Sequence, residues 1–275
     1  MIISFWNMNM NKDKNKNPDS IIIDLIEENH IDILILAEYN NSIEKLCEKL
    51  NGKRTKFKPL KCKEIGCDKI TGLYTERFTH VPLFANTRYY ISSFSTAYFY
   101  LIICMVHAPS NIHKSNDDRR AFFARVYKEI ERVETEANTG NTIIVGDLNS
   151  NPFDSSVVAA DALHAIPHKE ESTKMTRKID GNSYKMFYNP SWKLVALDKP
   201  PYGTFFYNNS NYVNYYWYLF DQVIIRPELI KAFNENSLKI VAKIKDTTLL
   251  KNEYKPDGQI SDHLPIIFEI KEEKI

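Results

Sequence analysis

The stretch Thr142-Ile-Ile-Val-Gly-Asp-Leu-Asn149 is an apolar run that stops abruptly on a carboxylate and an amide. A short continuous run of this kind, bounded by turn-forming residues, reads as a strand covered on both faces. The same ending recurs along the chain. Asn7 follows Ile2–Trp6, Glu38 follows Ile31–Ala37, His107 follows Leu101–Val106, and Asp262-His263 stand immediately before the run Leu264–Ile270. One polar residue at a strand end is ordinary turn chemistry. Five together predict a rim where core strands deliver carboxylates, amides and imidazoles to one place. Carboxylates gathered so closely require a counter-charge, because like charges at short range do not all stay ionised unaided.

Around these strands the chain alternates with a few helices. Asn17-Pro18 has the order of an N-cap and a first helical residue, and Ile22, Leu25 and Ile26 follow at helical spacing. A second helix is predicted over Ser42–Leu50. A third spans Asn116–Ala137, with Phe123, Val126, Tyr127, Ile130 and Val133 on one side and Lys128, Glu129, Glu131 and Arg132 on the other. Further strands are expected at Ile70–Tyr74, Tyr98–Val106 and Leu219–Ile225, while Ser172–Asn214 reads mostly as loop. Many strands with few helices imply two packed sheets with helices outside. With no repeat or flexible linker, residues 1–275 are expected to form a single domain.

The composition is that of a globular protein: 275 residues, 43% hydrophobic, 26% charged and 12% aromatic. Lys and Arg number 36 against 35 for Asp and Glu, a net charge of +1, so any surface that recruits nucleic acid must be local. No apolar run reaches the ~18 residues that a membrane span needs. The first residues lack the features of a signal peptide, and a cytoplasmic location with reduced cysteines is expected. Cys62 and Cys67 are spaced too widely for a zinc knuckle and have no second pair.

Six segments, in order, carry a resemblance: Ser4-Phe-Trp-Asn7, Ile35-Leu-Ala-Glu38, Val106-His-Ala-Pro-Ser110, Val145-Gly-Asp-Leu-Asn149, Leu219-Phe-Asp-Gln-Val223 and Ser261-Asp-His263. Together they resemble the endonuclease/exonuclease/phosphatase superfamily. That group includes deoxyribonuclease I, the exonuclease III type apurinic endonucleases, and inositol-phosphate and sphingomyelin phosphodiesterases. The resemblance spans almost the whole chain. It implies a four-layer α/β/β/α sandwich, two mainly antiparallel sheets packed together and flanked by helices, with the site at one end.

It also implies roles. Glu38 resembles the principal Mg²⁺ ligand, helped by Asn7 and Asp262, and hard oxygens of this kind suit Mg²⁺ or Mn²⁺. Asp147 is similar to the residue that orients or deprotonates the attacking water, and Asn149 to the amide that holds a phosphate oxygen or that water. His263 would bond the scissile phosphate, oriented by Asp221. His107 resembles a histidine of deoxyribonuclease I whose partner is a Glu, and Glu76, in Thr75-Glu76-Arg77, is expected to pair with it. The other reading of Glu76 is a surface carboxylate beside Arg77. Asn9 stands where some members have a second acidic metal ligand. Ser110-Asn111 puts an amide one position later than in the apurinic endonucleases. Arg119 and Arg120 could clamp phosphate or simply face solvent.

Substrate choice is less sharply written. Between Lys53 and Lys63 lie six basic residues, with Arg54, Lys56 and Lys58 alternating as on one strand face. They read either as a phosphate-facing stripe or as a strand edge protected by charge. The aromatic stretch Tyr184–Trp217 either packs a long loop or stacks unpaired bases. The expectation is a metal-dependent phosphoesterase, foremost a nuclease with DNA or RNA as substrate. The alternative is a phosphatase or phosphodiesterase of a small or lipid-linked phosphate ester. A catalytically dead binding module is opposed by the intact Glu38, Asp147, Asn149, Asp262 and His263.

Overall fold

The computed structural model describes residues 1–10, 17–52, 55–110 and 115–272. Eight strands occupy the first part of the chain: β1 (Ile2–Asn7), β2 (Ile33–Ala37), β3 (Phe57–Pro59), β4 (Ile70–Thr75), β5 (Thr79–Asn86), β6 (Tyr89–Ser95), β7 (Tyr100–His107) and β8 (Thr142–Asp147). Three main helices accompany them: α1 (Asp19–Asn29), α2 (Ile43–Asn51) and α3 (Asn116–Ala137). One sheet runs in the order Phe233–Ile240, Ile266–Ile270, β1, β2, β4, β3. The other runs β5, β6, β7, β8, Asp221–Ile225, Phe187–Tyr188, Ala165–Ile166. Most neighbouring strands are antiparallel; β1 with β2, β7 with β8 and Phe187–Tyr188 with Ala165–Ile166 are parallel.

Alternation along the strands divides the apolar residues into three cores. Ile3, Phe5, Ile33 and Ile35 of one sheet meet Leu101, Ile103, Ile143, Val145 and Val223 of the other between the sheets. Trp6, Leu34 and Leu36 face outward against Ile22, Leu25 and Ile26 of α1 and Leu46 and Leu50 of α2. Ile102, Cys104 and Ile144 face outward against Phe123, Val126, Ile130 and Val133 of α3. The result is four layers, helix–sheet–sheet–helix. The expected sandwich is present, and double coverage is why the central strands read as unbroken apolar runs.

Helix ends follow local chemistry. Ser115 and Asp118 close a capping box on α3, and Ser42 accepts from the Lys45 N–H at the start of α2. At α1 the cap lies one residue later than expected: Pro18 is the N-cap, with no side-chain bond, and the helix starts at Asp19. The segment read as mostly loop contains short strands, including the hairpin Thr176–Ile179 with Asn182–Lys185. All four cysteines are free and buried. No described helix is long and apolar enough to cross a membrane.

Three edge or hairpin strands carry no clear sequence signal: β5, β6 and Phe233–Ile240. The β5–β6 hairpin brings His80 against Tyr74 and Phe94, with ring centroids at 4.9 and 5.0 Å, and its Nε2 lies 3.0 Å from the Tyr90 hydroxyl. Burial pushes the His80 imidazole down to about 4. The folded protein thus refuses a proton that the unfolded chain accepts below its ordinary value near 6.5, and stability is lost as pH falls from there toward 4. Because His80 is only partly enclosed, we expect a discounted loss of about 1 kcal/mol between pH 7 and pH 5. Urea midpoints at the two pH values check this: His80→Gln should shrink the difference, and an identical loss in both proteins would remove His80 as its source.

Candidate active site

Strand direction decides which side chains meet. In the parallel pair β1–β2, Asn7 lies opposite Ala37, so Asn7 and Glu38 leave their strands at the same end. In β7–β8, His107 lies opposite Asp147, and the antiparallel neighbour places Asp221 opposite Asp147 as well. Ile266 pairs antiparallel with Phe5, which brings His263, just ahead of it, to that same rim. The two sheets therefore converge at one end, as the strand-end pattern predicts.

Asp147 is at the centre, with a 1% exposed side chain and backbone. Its Oδ2 accepts from Asn7 Nδ2 at 3.0 Å and its Oδ1 from the Asn149 N–H at 2.8 Å, which fixes the plane of the carboxylate. Asn149 Nδ2 in turn donates to the Ala108 carbonyl at 3.2 Å. Facing Asp147, His263 Nε2 stands 3.9 Å from Asp147 Oδ2, and His263 Nδ1 is 2.8 Å from Asp221 Oδ2. The pair is braced on all sides. The Asp221 N–H donates to Thr204 Oγ1, the His263 N–H to Ser261 Oγ, and Phe205 lies 4.7 Å from the His263 ring. On the other side, His107 Nε2 lies 3.4 Å from Glu38 Oε1 and 3.8 Å from Asp147 Oδ2.

Backbone strain and close packing mark the same rim. Glu38 and Asn149 adopt left-handed backbone, at φ of 50° and 46°, which an L-residue adopts at a cost and which here turns each side chain inward after its strand. Gly146 explains the residue before Asp147: a Cβ there would lie 1.9 Å from the Val106 carbonyl oxygen, so only glycine lets β8 reach β7.

The electrostatics divide the two imidazoles. Burial disfavours charge on His263, but the Asp221 and Asp147 carboxylates outweigh it and raise its proton affinity. Burial pushes His107 down to about 3, with Arg88, His263 and Lys69 adding to the shift. His107 is therefore neutral, and its approach to Glu38 is a polar contact rather than an ion pair. Burial raises the Asp147 carboxyl, Asp221 adds to the shift, and His263 opposes it.

Two buried polar atoms at the rim, His107 Nδ1 and Asp221 Oδ1, have no hydrogen-bond partner among the described residues. Ligand atoms of Asp147, Asp221 and His263 lie within 4.8 Å of one another. The rim offers carboxylate and amide oxygens with imidazole nitrogen and no thiol, a donor set that suits a hard divalent cation.

Glu76 needs correction. β4 runs antiparallel to β2, with Tyr74 opposite Ile33, so its end lies at the start of β2, on the far rim from Glu38. Glu76 is exposed there, and the carboxylates beside His107 are those of Glu38 and Asp147. The basic stripe divides for the same reason. Lys58, on the edge strand β3, and Lys56, just before it, lie toward that far rim, whereas Lys63 lines a small cavity with Glu38 and Lys69. Lys53, Arg54 and Asn111 lie outside the described residues. Arg120 is held bidentate by Asp161, and Arg119 donates to Ser150 Oγ, so their guanidinium groups serve the protein. Asn9 is buried, its N–H donating to Asn7 Oδ1.

Sequence reasoning missed Lys69, Arg88, Thr204 and Phe205. The first two have the strand-end signal in reverse. They precede β4 and β6, and in an antiparallel strand the start, not the end, reaches the rim.

The same four-layer fold recurs in solved structures. Truncated TDP2 from Caenorhabditis elegans superposes with a TM-score of 0.57 at 15% identity, over 98% of this chain and 96% of that one. The 3′ phosphatase NExo from Neisseria, bound to product DNA hairpin, gives 0.55 at 14% identity over 98% and 99%. The human Nocturnin catalytic domain with bound sulfate gives 0.56 at 15% over 98% and 93%. No curated protein matches the chain in sequence. The Endonuclease/Exonuclease/phosphatase family profile matches residues 95–272. The chain belongs to this family, whose members are metal-dependent phosphoester hydrolases.

Proposed function

We propose that the protein is a divalent-metal-dependent nuclease that hydrolyses DNA or RNA phosphodiester bonds by attack of water. The observation that carries this reading is the Asp147 carboxylate, clamped by Asn7 and Asn149 and facing the Asp221–His263 pair across 3.9 Å. Phosphodiester hydrolysis needs a group that accepts the proton of water and a cation that meets charge growing on the phosphate. Asp147 supplies the first. His263, kept protonated by Asp221 through Nδ1, supplies the second at Nε2 and cannot itself accept the proton. Asn149 orients the water or a phosphate oxygen. His107, neutral and beside Glu38, hydrogen-bonds the phosphate or the leaving oxygen.

Glu38 and Asn7, with Asp262 beside His263, would hold Mg²⁺ or Mn²⁺. A bound cation of this kind polarises a phosphoryl oxygen. Residues 1–275 act as one domain in this reading, supported by the core that both sheets build. A second reading, a phosphatase or phosphodiesterase of small or lipid-linked phosphate esters, draws support from the net charge of +1 and from Lys56 and Lys58 lying toward the far rim.

The test incubates purified protein with plasmid, single-stranded DNA, RNA and a panel of phosphate esters, in Mg²⁺, Mn²⁺ or EDTA. Strand cleavage that EDTA abolishes is the expected result. Phosphate release from small esters with every nucleic acid untouched would install the second reading, and metal-independent cleavage would overturn the role given to Glu38.

A further inference from the structure

Beside the rim, a groove of about 510 Å³ is lined by Phe206, Tyr207, Lys251, Lys255, Asp257 and Asp262. It joins the catalytic cluster in two ways. Asp262 directly precedes His263 in the chain. Phe205, 4.7 Å from the His263 ring, also stacks on Tyr207, at 6.2 Å and an interplanar angle of 17°. Aromatic rings thus lead from the imidazole into the groove. Tyr207 is 43% exposed and leaves ring surface open to a further planar group.

The basic side of the groove is unusual in its pairing. Lys251 and Lys255 are direct cross-strand partners in the hairpin of Leu250–Lys251 with Lys255–Pro256. Like charges directly opposite one another destabilise a two-stranded ribbon. Neither ammonium forms an ion pair among the described residues; Lys255 Nζ instead stands 5.9 Å from the centre of the Phe206 ring. Phe206 is held in place by edge contacts with Trp217 and Tyr254, each at 5.5 Å. Asp257 forms no ion pair with either lysine among the described residues; its Oδ1 accepts from the Gln259 N–H. Two adjacent cations and an open ring lining one groove match the two parts of a nucleotide: an anionic phosphate and a flat base.

We infer that this groove is a subsite for a nucleotide flanking the scissile bond of a single-stranded nucleic acid, with its base on Tyr207 and its phosphate between Lys251 and Lys255. The inference deepens the nuclease reading and rests on it. An unpaired base is required, because a base within a duplex presents no free face to stack on a side chain. The groove thus assigns single strands, frayed ends or flaps as the substrate class.

The experiment uses the full chain, a fluorescein-labelled oligothymidylate and a matched duplex. It compares wild type with Tyr207→Ala and with the double variant Lys251→Gln/Lys255→Gln. Anisotropy titrations in EDTA give Kd across a salt series, and hydrolysis of bis(p-nitrophenyl) phosphate with Mg²⁺ or Mn²⁺ reports the catalytic centre alone. Each variant is expected to weaken single-strand binding about tenfold, from loss of one stacked base or of the phosphate contact. The double variant should also flatten the slope of log K against log salt by about 1.4, for two fewer cation–phosphate contacts. Diester hydrolysis should stay within twofold. Unchanged Kd and slope would overturn the subsite, as would an equal loss on the matched duplex. A wild type that binds single strands through these residues yet hydrolyses no diester would instead sink the nuclease reading.

Discussion

Asp147→Asn is expected to lower turnover about a thousandfold, within the range that removal of a general base produces, while the protein stays folded. Asparagine is nearly isosteric and can still accept from the Asn149 N–H, so the local backbone keeps its main restraint. What disappears is the ability to take a proton from water, together with the acceptor for Asn7 Nδ2 and one of the two carboxylates that favour charge on His263. The same replacement should leave the melting temperature unchanged or raise it. A buried carboxylate beside Asp221 is held at an electrostatic cost, and catalytic centres commonly carry such costs for activity. Steady-state kinetics and a melting curve on one preparation check both halves. Loss of activity accompanied by unfolding, or a drop in turnover of less than tenfold, would remove Asp147 as the base.

The largest expected effect on stability lies far from the chemistry. Arg226, at the end of the Asp221–Ile225 strand, meets Glu134 of α3 in a two-pronged contact, Nε to Oε1 at 2.8 Å and Nη2 to Oε2 at 3.0 Å. Both side chains are 2% exposed. The guanidinium also donates to the Met186 carbonyl and lies 3.8 Å from the centre of the Phe187 ring. Removing Glu134 leaves the guanidinium buried without its carboxylate, and removing Arg226 leaves Glu134 only the half-exposed Lys185, 3.6 Å away. Loss of one partner of a buried pair costs about 3–5 kcal/mol. Arg226→Ala or Glu134→Ala should therefore lower the melting temperature by roughly 10 °C or more. Replacing both by apolar residues of similar volume should recover most of the loss. Urea unfolding measures the difference, and single variants that lose under 1 kcal/mol would show that the pair is not structurally important.

Much of the fold and site was legible because chemistry and topology point the same way in the central strands. β1, β2, β7 and β8 are covered on both faces and end on the side chains that the rim uses. α3 was readable to its bounds from a sustained apolar stripe, and the Ser115–Asp118 capping box in the structure fixes the same start. The missed strands have physical reasons. β5 and Phe233–Ile240 lie at sheet edges, where solvent admits His80, Pro82, Asn234 and Glu235 and erases the pattern. β6 is interior, yet Ser92 and Ser93, both buried, break its apolar run. Glu76 shows what one strand cannot reveal alone. Its position at a strand end was readable, but the rim to which that end points depends on pairing with β2. Lys69 and Arg88 were hidden by the converse of that ambiguity.

The division of the candidate site residues between two sheets has a mechanical consequence for the proposed function. Asn7 and Glu38 ride on one slab, and His107, Asp147 and Asp221 on the other. The apolar layer behind them acts as a spacer between the two halves of the rim. A side chain such as Phe5 or Val145 lies within that layer, and its bulk helps set the spacing. In the proposed nuclease, turnover is therefore expected to register how tightly the two slabs are pressed together.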